Sequence, residues 1–162
     1  MKTYIGIDNG VTGTIGIINN ESVCMLKTPV KKEQSYTKKK QNITRLDYQK
    51  MYDILKQYNA FIVIERPMVN PGRFKATVSA IRCLEATLII IEQLGIPYQY
   101  IDSKNWQKFF IPSGIKGAAD LKTASMQMGI RLFPELKSAI EKHGDADSLL
   151  MAEHARRVNL YR

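Results

Sequence analysis

The run AFIVIERP, Ala60 to Pro67, sets the tightest limit on how this 162-residue chain folds. It is short, branched, apolar and stopped by proline, so it reads as a strand without a polar face, which has to be covered on both sides. Helices packed on the two faces of a sheet supply that cover. Before it, Thr3 to Asp8, Thr14 to Ile18 and Ser22 to Lys27 read as strands separated by the turn signals Asn9-Gly10 and Asn19-Asn20, an antiparallel meander. From about Asp47, Tyr48, Met51, Tyr52 and Leu55 recur at helical spacing. After the apolar run, a helix from about Thr77 to Leu94 closes on Gly95, and a strand covers Tyr98 to Ile101. Further helices start near Ser103, near Ala119 beyond a Gly-rich loop through Gly114 and Gly117, and near Asp145, the last reaching Val158. The expected architecture is α/β: a mixed five-stranded sheet, meander first and β/α units after it, with helices on both faces, in a single domain over residues 1–162.

Charge narrows the partner. A formal net charge of +9 attracts polyanions, of which nucleic acid is the commonest. The stretch KKEQSYTKKKQNITR, Lys31 to Arg45, reads as a polar, cation-rich connection without the amphipathic face that a membrane surface selects. Charge alone does not choose between DNA and RNA, and Lys38, Lys39 and Lys40 within the stretch are candidate nucleic-acid contacts, to DNA if the resemblance given below holds. No apolar run approaches the ~18 residues of a membrane span, and the N-terminus lacks a basic region followed by an apolar block, so a cytosolic protein with no membrane partner is expected. Cys24 and Cys83 have no CxxC spacing and no neighbouring His, and read as buried thiols rather than a disulfide or a zinc site.

Three carboxylates stand out against this basic background. Asp8 ends the opening strand and Glu65 ends the apolar one, while Asp147 lies in the first turn of the last helix. Singly, each has an ordinary explanation: a turn residue, a rim partner for Arg66, a favourable charge at a helix N-terminus. Together, acids converging on one spot repel unless cations neutralise them. Hard divalent ions such as Mg²⁺ or Mn²⁺ prefer carboxylate oxygens and complete their shells with water and substrate phosphate. Two such ions about 3.5 to 4 Å apart polarise a scissile phosphate, activate water and stabilise the leaving oxygen. His143, four residues before Asp147, shares its side if the helical turn extends back that far, and Asp145 is placed to cap the helix.

The order IGIDNG, VIERP, DADSLLMAEHAR over a meander and β/α units resembles the RuvC family of Holliday junction resolvases, within the retroviral-integrase and RNase H superfamily, and most of all its phage-encoded branch. The resemblance covers essentially the whole chain. It implies an RNase H-like fold and a homodimer that resolves four-way DNA junctions by metal-dependent nicking, leaving 5′-phosphate and 3′-hydroxyl ends. It assigns the family's acidic positions to Asp8, Glu65 and Asp147, with two ions per site. The family's fourth position, an Asp or His one turn before the last aspartate, falls here on Gly144, so His143 or Asp145 takes that role. Lys108, Lys116 and Lys122 match basic residues that hold phosphates, and Arg73, Phe74 and Lys75 match the segment that enters the junction, where a ring flanked by cations suits an opened base. That segment, RPMVNPGRFKAT, is broken by Pro and Gly, which allows forks and flaps as substrates besides four-way junctions. In the long helix, Val78, Ile81, Leu84, Leu88, Ile89, Ile90 and Ile91 surround much of the circumference, and a symmetric partner would cover what the sheet does not.

Two other classes compete. DNGVTG also fits the opening of actin-like ATPases, but those clamp a nucleotide between two domains, this chain has room for one, and no GxxxxGK[ST] run is present; no nucleotide cofactor is expected. A non-enzymatic DNA-binding module would need only the basic surface and leaves the three carboxylates without a purpose.

Overall fold

A computed structural model of the chain describes residues 2–160. Strands β1 (Thr3–Ile7), β2 (Thr14–Ile18) and β3 (Val23–Lys27) form the meander, and β4 (Val30–Gln34) and β5 (Asn42–Leu46) follow. Helix α1 (Tyr48–Leu55), β6 (Ala60–Glu65), α2 (Phe74–Gln93), β7 (Tyr98–Ile101) and α3 (Ser103–Phe110) alternate, before α4 (Ala118–Leu132), α5 (Lys137–His143) and α6 (Asp147–Arg157). The main sheet has the order β3-β2-β1-β6-β7, with β1 antiparallel to β2 and parallel to β6. It is the mixed five-stranded sheet that the sequence implies.

Both faces are covered because the central strands are apolar on both. Ile5, Ile7, Ile62 and Ile64 point to the face that holds α1 and α2, against Met51, Leu55, Cys83, Ile90 and Ile91. Tyr4 and Val63 point to the opposite face, against Trp106, Leu149, Met151 and Ala152 from α3 and α6. Cys83 is buried, Cys24 is only half-buried, and both are free. Among the described residues no helix is long and apolar enough to cross a membrane.

Helix α6 lies directly on β1 and β2, because Gly6 and Gly16 face each other across those strands. A methyl group on Gly6 would run into the Ser148 carbonyl, and one on Gly16 would sit 2.6 Å from the Leu149 nitrogen. Glycine inside a strand marks just such a close backbone approach. The contact is sealed by a buried hydrogen bond of 2.8 Å from the Thr14 hydroxyl to Ser148 Oγ.

Three expectations need correction. The Lys31 to Arg45 stretch is a two-stranded hairpin and not an irregular connection: Glu33 accepts from Lys31 and Arg45 at 2.6 Å each, and Leu46 buries beside α1. Its exposed cations hide a period-two pattern that short edge strands show only weakly. Asn9-Gly10 does not form a two-residue hairpin turn; the β1–β2 connection spans residues 8–13 and is closed by Asp8 N–H to the Thr14 carbonyl at 3.0 Å. Helix α2 starts at Phe74, three residues early, after a short 3₁₀ turn over Pro71–Arg73.

Gly6→Val should lower the urea midpoint by the equivalent of about 2 to 3 kcal/mol, the usual cost of overpacking a tight contact. A variant as stable as the wild type would show that α6 does not rely on that glycine.

Candidate functional site

Register and pleat bring the two strand-end acids together. Ile7 pairs with Ile64, so Asp8 and Glu65 stand one step beyond on neighbouring strands, roughly 4.8 Å apart by strand spacing. Alternation sends both to the face that carries α6, the face of Gly6 and Val63.

The third acid arrives from a break between helices. Helix α5 ends at His143, and Gly144, with φ of +100°, takes the left-handed position that lets the chain turn back. Asp145 and Ala146 cross to the start of α6 at Asp147. His143 and Asp147 therefore do not share a helical face, contrary to their i,i+4 spacing; they are on different helices. Asp145 sits outside regular helix as well, so its two-residue distance from Asp147 does not turn it away. It is 1% exposed and receives Lys122 Nζ at 2.9 Å, with His143 Nε2 at 3.4 Å from its other oxygen. Ser125 donates a short hydrogen bond to Asp147 and accepts from the Ala146 N–H at 3.1 Å, which ties α4 to this corner.

The carboxylates affect one another strongly. Burial pushes Asp8 up to about 8, and the charges of Asp147, Glu65 and Asp145 add to the effect while Lys122 opposes it. Burial and Asp147 push Glu65 up to about 7, with the Trp106 indole pulling down. Burial and Asp145 push Asp147 up to about 6 against the Ser125 hydrogen bond. Lys122 is the cation that registers on this cluster, and a single ammonium does not balance it.

Such a donor set fits a divalent metal. Asp8, His143 and Asp145 each offer a ligand atom within 4.8 Å of the other two. The carboxylates suit Mg²⁺ or Mn²⁺, the imidazole favours Mn²⁺ of the two, and Glu65 and Asp147 stand beside them as further oxygen donors. Both candidates for the fourth position, His143 and Asp145, are thus in the cluster.

Neither a protein-family model nor a characterised sequence matches the chain. Solved structures do. Thermus thermophilus RuvC superposes with a TM-score of 0.58 at 11% identity, over 97% of this chain and 96% of that one. T. thermophilus RuvC in complex with Holliday junction substrate gives 0.56 at 12% identity, over 96% and 95%. The fold is that of RuvC.

On this RuvC fold the residues expected to contact DNA fall in five places. Lys122 is bonded to Asp145 in the cluster. Lys116 borders an open groove of about 510 Å³ with Gly114, Asp120, Thr123 and Gln127. Lys108, exposed in the last turn of α3, acts on His154 of α6 and not on the acids. Arg73, Phe74 and Lys75 are exposed at the start of α2, Phe74 at 72%, while Lys38, Lys39 and Lys40 are exposed at the tip of the β4–β5 hairpin.

Sequence reasoning missed Ser125, Ser148, Thr14 and Trp106. Gly6 and Gly16 in mid-strand were the available signal for the α6 contact. The buried Trp106 Nε1 has no hydrogen bond of good geometry and lies within electrostatic reach of Glu65, for which nothing in the sequence pattern prepares.

In metal-free protein, folded Asp8 holds its proton from its ordinary 3.8 up to about 8, where the unfolded chain has lost it. Stability in EDTA should therefore fall as pH rises across that window. Asp8→Asn should melt higher than wild type at pH 8, and the difference should vanish near pH 4. A wild-type melting temperature that rises with pH between 5 and 8 contradicts this. Trp106 is the single tryptophan, so Mg²⁺ titration should change the intrinsic fluorescence, and Glu65→Gln should damp the change. An unchanged spectrum at saturating metal would place the ion away from Glu65.

Proposed function

We propose that the protein is a divalent-metal-dependent endonuclease that cuts branched DNA, with four-way junctions as its main substrate, and that it works as a homodimer. The convergence of Asp8, Glu65, Asp145, His143 and Asp147 at one corner of the RuvC fold carries this reading. The similar T. thermophilus RuvC is bound to a Holliday junction substrate, which supports the choice of DNA.

Asp8, Asp145 and His143 would hold one ion, and Glu65 with Asp147 are the residues that would take a second. Bound there, Mg²⁺ or Mn²⁺ supplies Lewis acidity toward the phosphate and a water of lowered pKa. The side chains do the rest. Burial keeps Asp8 and Glu65 poorly solvated, so they favour a cation over water. Ser125 fixes the Asp147 carboxylate in place. Lys122, bonded to the buried Asp145 but 63% exposed itself, reaches from the cluster toward solvent, where a DNA phosphate would arrive. Arg73, Phe74 and Lys75 stand just beyond Glu65 in the chain, a ring between two cations suited to an opened base at a branch. Exposed Ile81 and Ile89 on α2, 44% and 55% accessible, are the apolar surface that a second copy would cover. The products are 5′-phosphate and 3′-hydroxyl ends.

A DNA-binding module without catalysis would leave this acidic corner as pure cost. Labelled four-way, Y-shaped and linear duplexes separate the possibilities. Mg²⁺ or Mn²⁺ should support cutting of the branched substrates, chelator should stop it, and linear duplex should be cut least. Asp8→Asn, Glu65→Gln and Asp147→Asn should each reduce cutting by at least about a hundredfold while junction affinity stays within about threefold. Metal-independent cutting, or equal cutting of all three DNAs, contradicts the proposal.

A further inference from the structure

We infer that the tip of the β4–β5 hairpin and the adjoining face of α2 form a track for an unpaired DNA strand, with Tyr36 as its stacking ring; this rests on the branched-DNA reading above. The hairpin is a built element. The Ser35 N–H donates to the Gln41 carbonyl at 2.7 Å, and the buried Ser35 hydroxyl accepts the Thr37 N–H at 3.2 Å, which throws Tyr36 outward. Tyr36 is 79% exposed, which leaves most of a large ring available for contact. The Arg82 guanidinium from α2 lies 5.3 Å from its ring centroid, which rests the hairpin tip against the helix and leaves the rest of the ring in solvent.

Charge along this surface is one-sided. Glu33 is the hairpin's single carboxylate and is taken by Lys31 and Arg45, so Lys32, Lys38, Lys39 and Lys40 have no acid in the hairpin to pair with. Lys75 and Arg82, seven residues apart, share one face of α2 about 10 Å along its axis. Glu85, one turn further, marks the far end of the track. Between Lys75 and Arg82, Asn9, beside Asp8, donates to the Ala80 carbonyl at 3.0 Å, so this part of α2 rests on the turn that carries Asp8. The line therefore runs from Lys38, Lys39 and Lys40 past Tyr36 to Arg82, close to where α2 meets the Asp8 turn, with Lys75 further along the same helix face toward its start. Cations alone would suit any duplex arm. A ring backed by a guanidinium adds affinity only for a base that is free to stack, which is what an unpaired strand at a branch presents.

The test is binding in EDTA, by fluorescence anisotropy, of a labelled oligo(dT) of about 20 nucleotides and of a duplex of the same length over a range of salt. Replacing Lys38, Lys39 and Lys40 together by Ser should weaken oligo(dT) binding at least about tenfold and flatten the salt slope by about 2, at ~0.7 for each phosphate that the lysines no longer neutralise. Tyr36→Ala should weaken oligo(dT) binding about fivefold or more without altering the slope, Tyr36→Phe should restore it, and duplex binding should change little. Unchanged oligo(dT) binding in Tyr36→Ala overturns the inference. So does an equal loss on duplex, or a shift in oligomeric mass by light scattering in place of a binding loss, which would make the tip a contact between copies. Because no cutting is measured, a nuclease can fail this test and a protein without nuclease activity can pass it.

Discussion

Backbone-to-backbone contact between α6 and the β1–β2 pair holds the rest in place. Without side chains at Gly6 and Gly16, the first turn of α6 rests on the sheet itself. That depth puts Asp147 and the preceding Asp145 level with the ends of β1 and β6, where Asp8 and Glu65 emerge. A helix held off by ordinary side chains would stand near the usual ~10 Å packing distance and leave the acids apart. The cluster is therefore a consequence of packing, and its electrostatic strain is borne by the Ile-rich sheet and the buried face of α6.

That strain has a direction. Asp8, Glu65 and Asp147 are all pushed toward the neutral form, with burial the largest cause in each and neighbouring carboxylates adding to it. Lys122 offsets part of it through Asp145. Folding thus stores repulsion that a divalent cation would relieve, and cation binding and stability are coupled through the same atoms. Outside this corner the protein is basic, so a polyanion would be drawn in by its surroundings and met at the centre by negative oxygens that only a cation makes tolerable.

Much of the fold was legible because the strands obey simple rules. Unbroken apolar runs at Ile62 to Ile64 demand burial on both faces, and a carboxylate at the end of such a run has few structural reasons to be there. The convergence of Asp8 and Glu65 follows from parallel register, a property of pairing that no single segment displays. Gly144 marks a break in the sequence, but the direction in which the chain turns there, which brings in His143 and Asp145, follows from neither helix's spacing. The β4–β5 hairpin was hidden by its own lysines: its order comes from Glu33 bridging Lys31 and Arg45 and from the Tyr36–Arg82 contact across a gap of more than forty residues. Ser125 and Trp106 came from elements whose local pattern speaks only of helix.

Occupancy of the carboxylate corner by a cation is the claim on which the functional reading stands, and anomalous scattering from crystals soaked in Mn²⁺ tests it most directly. A peak bounded by Asp8, His143 and Asp145, with Glu65 or Asp147 within reach of the same or an adjacent peak, is the expected result. Crystals at saturating Mn²⁺ with no anomalous density at this corner, or with Lys122 still filling it, would contradict the claim.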